Sequence, residues 1–149
     1  MEDRREGGFT LVELMIVVLI IAILLAIAMA TFPATRDRAQ DRAAQADLRN
    51  ALSAEKAHFA DHEAYTQVRA ELVAIEPALA FDAAADQAPT AGSVAYAASG
   101  ATVTLATRSA TGTCFYVRDT ATSGTTYLRN TDCDQPSAPT GAFTETGWR

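Results

Sequence analysis

The longest apolar run of the chain lies near its N-terminus. From Leu14 to Phe32 there are 19 residues, and none of them is charged. As a helix rising about 1.5 Å per residue, this run would reach roughly 28 Å, close to the thickness of a bilayer's hydrocarbon core. The pattern therefore predicts a membrane-spanning helix, which we place within a hydrophobic segment at residues 9–33. Any bend or melted turn is expected between Met29 and Pro33, because proline removes a backbone donor.

The composition of residues 34–62 favours continuation of the same helix outside the membrane. This segment is rich in Ala, Arg, Asp, Glu and Gln and contains neither Gly nor Pro. Glu55 lies inside an apolar arc of about 100°, the width of a face that packs on a domain. We expect its stem to pack while its carboxylate reaches water or an arginine, and a buried functional acid is the alternative. The arc consists of Ala44, Leu48, Ala51, Leu52 and Phe59.

After residue 92 the apolar and polar residues begin to alternate with the two-residue period of β-strands. Residues 63–92 form a connecting region, with a short helix expected at residues 67–75 before Pro77. Residues 134–149 contain prolines and glycines and predict an extended tail, which Phe143 and Trp148 would pin. Between them lie four short β-branched and aromatic segments separated by turn residues: 93–98, 101–107, 113–118 and 125–129. The short turns predict an antiparallel meander with one face packed on the long helix, an α+β fold.

Glu13 stands just before the uncharged run and indicates more than a simple anchor. A carboxylate held in hydrocarbon costs about 2.5 to 3.5 kcal/mol unless it lies near an interface or is paired. If the chain were cut after Gly8, Phe9 would gain a free α-amino group four residues before Glu13. That amine would offer a positive charge one helical turn away.

The residues Gly-Phe-Thr-Leu-Val-Glu at positions 8–13, between a short polar leader and an apolar helix, resemble the processing site of type IV pilins and pseudopilins. The resemblance extends from Gly8 to about Ala28. It implies the pilin fold, with a long N-terminal helix packed on a small antiparallel sheet. It also implies that a membrane peptidase removes the leader, residues 1–8, and methylates Phe9, and that Glu13 pairs with the terminal amine of a neighbouring subunit.

Three features of this chain depart from the usual family pattern. Ala30 stands where the family usually has proline, and Ala22 stands where it usually has glycine. The leader carries Arg4 and Arg5 together with three acids, whereas family leaders are usually more basic.

The resemblance implies a structural subunit of a type IV pilus. The chain would cross the inner membrane once before assembly and lie in a surface fimbrium afterwards. Its partners would be other copies of itself, the prepilin peptidase and methyltransferase, and an assembly platform with its ATPase. Three alternatives stay open: a pseudopilin or minor pilin of a secretion or DNA-uptake system, a membrane-tethered binding domain that does not polymerise, and an adhesin or DNA receptor at a filament tip. The sequence does not show whether the filament would serve motility or adhesion.

The charge and the cysteines fit an exported domain. The net charge is −6 and Lys56 is the only lysine, so the chain lacks the basic footprint of a general nucleic-acid binder. Cys114 and Cys133 are the only cysteines, and a lone pair in an exported domain predicts a disulfide, with two free thiols as the alternative. This bond would close the end of a sheet region at residues 93–133, as the C-terminal disulfide does in pilins.

No motif in the chain predicts catalysis, a cofactor or a bound metal. His58 and His62 are four residues apart, a spacing that can bind a metal, but no further ligands stand nearby. We therefore expect a solvated helix end there. Asp119, Asp132 and Asp134 could line a calcium site, which the pattern does not favour. We assign no catalytic, cofactor-binding or metal-binding residue and expect no enzymatic activity.

Overall fold

The computed structural model describes residues 8–82 and 84–148. The contacts of the chain divide it into two compact units, Met1–Arg36 and Asp37–Arg149. Helix α1, Leu11–His62, is 52 residues long; it begins in the first unit and ends in the second. No melted turn interrupts α1 between Met29 and Pro33, since a proline removes a single donor and the helical bonds on either side of it continue.

The described part of the first unit is an apolar helix. Leu11–Met29 is long and apolar enough to cross a membrane. Its large apolar side chains, from Leu11 through Met29, are each half or more exposed. A continuous apolar surface of this size marks contact with lipid or with other protein chains.

The second unit combines the C-terminal part of α1 with a short helix and one sheet. Helix α2 is Arg69–Ile75. The strands are β1 Val94–Ser99, β2 Thr102–Arg108, β3 Cys114–Thr120 and β4 Gly124–Asn130. They pair antiparallel in chain order, β1-β2-β3-β4. The fold is therefore α+β with an antiparallel meander, as the sequence predicts.

The strand register places one row of side chains towards α1. Tyr96 stands opposite Leu105, which stands opposite Val117. Since residues two apart share a face, the neighbours Val94, Val103 and Phe115 lie on the same side. These side chains form one buried cluster with Ala44, Leu48 and Ala51 of α1 and with Tyr65 and Leu72. Leu52 and Phe59 are partly buried against this cluster, so the apolar arc predicted for α1 is confirmed.

The opposite face of the sheet carries a second cluster that the sequence analysis did not predict. It consists of Ala95, Ala106, Cys114, Tyr116 and Leu128, with Cys133 and Phe143 packed against it. Cys133 and Phe143 belong to the chain after β4, so the C-terminal tail covers this face. The sheet is consequently buried on parts of both faces.

The tail passes from one face of the sheet to the other around β4. Phe143 lies under the guanidinium of Arg118, 4.1 Å from the ring centroid. Thr144 and Tyr127 exchange two backbone hydrogen bonds of 2.8 Å at the edge of β4. Trp148 then packs edge-on against Tyr127, with ring centroids 4.7 Å apart. The predicted pinning of the tail by Phe143 and Trp148 is confirmed.

The outer edge of β1 is also occupied by other parts of the chain. Val94 donates to Ala80 O and accepts from Asp82 N, at 2.8 and 3.0 Å. Asp86 N donates to Tyr96 O at 2.7 Å. The side-chain amide of Gln67 donates to the carbonyl of Ala98. The connecting region therefore satisfies alternate backbone groups along β1.

Candidate functional site

The N-terminus of α1 is capped by two residues, Thr10 and Glu13, which hydrogen-bond to each other. Glu13 Oε2 accepts hydrogen bonds from Thr10 N at 2.8 Å and from Thr10 Oγ1 at 2.7 Å. In return, Glu13 N donates to Thr10 Oγ1 at 3.2 Å. This is a capping box, in which an N-cap threonine and an acid three residues later satisfy donors that the first helical turn leaves free. The sequence analysis missed it, although the Thr-x-x-Glu spacing is a recognised signal.

The cap directs one carboxylate oxygen of Glu13 and leaves the other accessible. Both bonds from Thr10 end on Oε2, and no side chain or backbone group in the described part of the chain donates to Oε1. Glu13 is exposed and lies in the first turn of the apolar helix. The positive end of the helix dipole favours a negative charge at this position. Thr10 therefore holds the carboxylate in place through one oxygen, and the other oxygen remains able to accept a hydrogen bond.

The residues at and before the cap are exposed. Gly8, Phe9 and Thr10 belong to no helix or strand, and Phe9 is 88% exposed. In this uncut chain α1 begins at Leu11, so Phe9 lies before its first turn. The spacing of one turn between the amine of Phe9 and Glu13 is expected for the cut chain and stays a prediction. A Cβ at Gly8 would meet nothing within 4 Å. The described structure therefore gives no reason within the fold for glycine at position 8.

The buried environment of Glu55 differs from the expectation. The side chain is fully buried, and its Oε2 accepts a hydrogen bond from Thr66 N at 3.1 Å. Neither water-facing exposure nor an arginine partner is present, so the expected surface carboxylate is wrong. Burial raises the pKa of Glu55 to about 7 despite the bond from Thr66, and the nearby charge of Glu71 adds to the increase. The turn after α1 creates this environment, and its course could not be read from the helical arc.

The side chain of His58 is buried. The solvated helix end expected at this position is therefore wrong for His58. This residue is 8% exposed, and its ring stacks on His62 with centroids 4.2 Å apart. Its Nε2 lies 3.1 Å from Glu71 Oε2. Within the residues that the structure describes, no group of three or more His, Cys, Asp or Glu side chains could hold a metal ion.

The three aspartates considered for calcium have separate roles. Asp119 is buried on the α1 side of the sheet and lies 3.0 Å from Lys56 Nζ. Asp134 accepts hydrogen bonds from Thr140 N and Oγ1, at 3.1 and 2.6 Å. The carbonyls of Asp132 and Asp134 accept from the Tyr116 hydroxyl. Asp119 thus joins the sheet to α1, whereas Asp132 and Asp134 hold the tail to the sheet and to itself.

The two cysteines are joined. Cys114 and Cys133 form a disulfide with their Cα atoms 5.5 Å apart. Cys114 is fully buried at the start of β3. The bond fastens β3 to the beginning of the tail, where the sequence analysis placed it.

An open depression of about 460 Å³ lies on the tail-side face of the sheet. Its lining includes Gln67, Asp86, Thr104 and Arg118. Thr104 Oγ1 accepts from Arg118 Nε at 3.2 Å, and Asp86 accepts from Ser137. Among the described residues that line the depression there is neither histidine nor cysteine.

Comparison with known proteins agrees with the geometry of the N-terminus. A family model described as the prokaryotic N-terminal methylation motif matches residues 3–29. No curated protein matches the chain. The matched residues include the cap and Leu11–Met29, whereas the unit that holds the sheet lies outside the match.

Proposed function

Because the chain carries the prokaryotic N-terminal methylation motif, the hallmark of type IV pilin-like proteins, we propose that it is a structural subunit of a type IV pilus filament. The observation that carries the proposal is an acid held at the start of an apolar helix whose large side chains are exposed. Such a helix fits anchoring in the inner membrane first and burial among other copies of the chain later. The assembled filament would lie on the cell surface.

The first step of the proposal is removal of residues 1–8 by the prokaryotic prepilin peptidase. The bond between Gly8 and Phe9 lies in an exposed stretch outside any helix or strand, where a peptidase can reach the chain. The fold does not require glycine at position 8, so this glycine is explained by the needs of the processing enzyme. The same enzyme would methylate the new amine of Phe9.

The second step is pairing of Glu13 with the terminal amine of Phe9 on a neighbouring subunit. Thr10 holds Glu13 Oε2, and Oε1 is free to accept from another chain. An amine and a carboxylate paired in a low-dielectric environment attract one another strongly, and this attraction offsets part of the cost of burying each charge. An assembly platform and a cytoplasmic ATPase would extract and stack the processed chains.

The processing step is tested by comparing the native chain with Gly8→Leu. We expect the native chain to lose residues 1–8 and to gain one methyl group on Phe9, which mass spectrometry of the N-terminal peptide detects. Gly8→Leu should keep the leader. Gly8→Ala is the graded control, because it adds a single methyl group where the fold has space. A native chain that keeps Met1 would instead support a membrane-tethered binding domain.

The assembly step is tested by Glu13→Ala and Glu13→Gln. Both variants should be processed but should yield few or no filaments in electron micrographs of sheared surface material, because neither carries the negative charge. Glu63→Gln is the matched control, since Glu63 is an exposed glutamate outside the apolar segment. Normal piliation by Glu13→Gln would exclude the pairing role.

A pseudopilin or minor pilin is the second candidate, because the N-terminal motif is common to all of these proteins. Copy number separates the candidates. A pilus subunit should be the main protein of the sheared filaments, whereas a minor pilin should be present at a few copies and a pseudopilin should be absent. A tip adhesin or DNA receptor would likewise be scarce.

A further inference from the structure

Two side chains of α1 fasten the region that follows it. We call residues 63–75, the turn after α1 together with α2, the α2 segment. Glu55 Oε2 accepts a hydrogen bond from Thr66 N at 3.1 Å. His58 lies three residues further along α1, on the same face, and reaches the same segment. Both residues are buried, whereas the Glu71 side chain that His58 reaches is 47% exposed.

His58 is held between two hydrogen-bond acceptors. Its Nδ1 lies 2.9 Å from Ala64 O, and its Nε2 lies 3.1 Å from Glu71 Oε2. A carbonyl and a carboxylate both accept, so both contacts are hydrogen bonds only when both ring nitrogens carry protons. A neutral ring has one N–H and leaves one of the two acceptors facing a lone pair.

Glu55 is better accommodated without charge. Its Oε1 is buried and has no hydrogen-bond partner among the described residues. The titratable groups that face it are Tyr65 of the turn, Glu71 of α2 and Tyr96 of β1. Both tyrosines have raised pKa values, because they are buried, and stay neutral. Glu71 therefore supplies a nearby charge of the same sign, and His58, on the same face of α1, is directed towards Glu71.

Glu55 forms no ion pair with any of the described residues. The ion pairs of the described chain join Lys56 to Asp119 and His58 to Glu71, and neither includes Glu55. An ionised Glu55 would thus be a buried charge with one neutral donor, an arrangement that costs several kcal/mol in general. Opening of the α2 segment would let water reach the carboxylate and would remove that cost.

We propose that Glu55 and His58 form a latch that holds the α2 segment on α1, and that loss of the Glu55 proton releases it. Among the described residues only Thr66 N donates to this buried carboxylate, so its ionisation would leave a poorly compensated charge. Tyr65 and Leu72 of the segment lie in the buried cluster, so release would bring their apolar side chains into water. This inference does not depend on the proposed role in a filament.

Amide hydrogen exchange on the full chain in detergent micelles tests the latch. Protection factors, corrected for the intrinsic pH dependence of exchange, would be compared at about pH 5.5 and about pH 8.5, on either side of the ordinary histidine range. At the higher pH we expect the amides of residues 64–72 to lose at least about tenfold in protection relative to β2 and β3. A change of one pKa unit corresponds to tenfold. The loss should be greatest at Thr66.

Glu55→Gln separates the latch from general loosening. The carboxamide keeps an oxygen that can accept from Thr66 N but does not ionise, so the pH-dependent loss should shrink to less than about threefold. Asp61→Asn, at an exposed acid of the same helix, should respond like the native chain. His58→Gln should lower protection of residues 64–71 already at about pH 5.5, and unchanged protection would remove His58 from the latch.

Two results would overturn the proposal. One is equal protection of residues 64–72 at both pH values in the native chain, and the other is an equal loss in Glu55→Gln. If Glu55→Gln does not fold, the carboxyl ¹³C resonance of Glu55 in the native chain decides. A titration midpoint near the ordinary glutamate value of about 4.3 would also overturn the latch, whereas a midpoint near neutrality that coincides with the loss of protection at Thr66 supports it.

Discussion

The hydroxyl of Tyr65 donates a hydrogen bond to the carboxylate of Asp119, 54 positions further along the chain. The same carboxylate accepts from the Thr125 hydroxyl and lies 3.0 Å from Lys56 Nζ. Asp119 is 3% exposed. One buried acid thus connects α1, the turn that follows it, and the third and fourth strands.

Asp119→Asn should destabilise the second unit, by about 2 to 3 kcal/mol near pH 7, because it leaves buried donors with a poorer acceptor. Burial by itself would raise the pKa of Asp119. The hydrogen bonds from Thr125, Tyr65 and Lys56, together with the charge of Lys56, lower it instead. Urea unfolding followed by circular dichroism measures the change, and Glu145→Gln, at an exposed acid, is the control.

The direction of this pKa shift also predicts how the free energy of unfolding changes at acid pH. Because the folded-state pKa of Asp119 is lowered, its contribution is present above the ordinary carboxyl value of 3.8. It is lost as the pH falls through the lower folded-state value. Asp119→Asn should therefore show a shallower loss of stability below about pH 4 than the native chain. An equal dependence of stability on acid pH in the variant and in the native chain would contradict this account.

Gly141→Ala should destabilise the tail more than Gly147→Ala does. Both glycines have a positive φ, +124° and +103°, which L-residues rarely adopt. A Cβ at Gly141 would also lie 2.9 Å from Leu128 Cδ1, whereas one at Gly147 would meet nothing within 4 Å. We expect losses of roughly 2 to 3 kcal/mol and roughly 1 kcal/mol, respectively, in urea unfolding. Equal losses would show that the close approach to Leu128 has no energetic effect.

Removal of the disulfide should lower the free energy of unfolding by about 3 kcal/mol in the chain-entropy model. The variant for this test is Cys114→Ala with Cys133→Ala, which leaves no thiol behind. The native chain with a reductant should approach the stability of the double variant. The reductant should not change the double variant itself, and a native chain unaffected by reduction would contradict the prediction.

Trp148→Ala should detach the end of the tail and cost about 2 to 3 kcal/mol. The indole Nε1 donates to Tyr116 O at 2.8 Å, and the ring packs edge-on against Phe115 and Tyr127. Arg49 of α1 lies 5.4 Å from the ring centroid. Amide exchange at Tyr127 and Thr144 reports detachment directly, because these residues pair with each other. Thr146→Ala, at an exposed neighbour, should leave both amides protected.

The sequence predicted features of this fold that depend on local periodicity. The strand predicted at residues 93–98 is observed at Val94–Ser99, and the helix predicted at residues 67–75 is observed at Arg69–Ile75. The α1 face that packs on the sheet also followed from spacing alone, because Ala44, Leu48 and Ala51 recur at helical intervals. The cysteine pair followed from composition and the exported context.

The features that the sequence did not predict depend on partners distant in the chain or on the path of a turn. Glu55 and His58 are buried because the turn at residues 63–68 folds back over them, and no helical wheel contains that turn. The second apolar cluster forms because Phe143 crosses to Leu128 and Tyr116. At the N-terminus, the pattern indicated Glu13 but not its cap, since the cap depends on hydrogen bonds between Thr10 and Glu13 and not on the apolar periodicity.

The partly covered edges of the sheet have a consequence for the filament that we propose, in which many copies of the chain would lie close together. An open strand edge can template β-structure in another copy, and such growth ends in aggregates. Along β1, alternate backbone groups already bond to the connecting region, and Thr144 blocks the middle of β4. Copies of this molecule can therefore lie close together with little risk of intermolecular strand pairing into amyloid-like sheets. Ordered association is left to surfaces other than the strand edges.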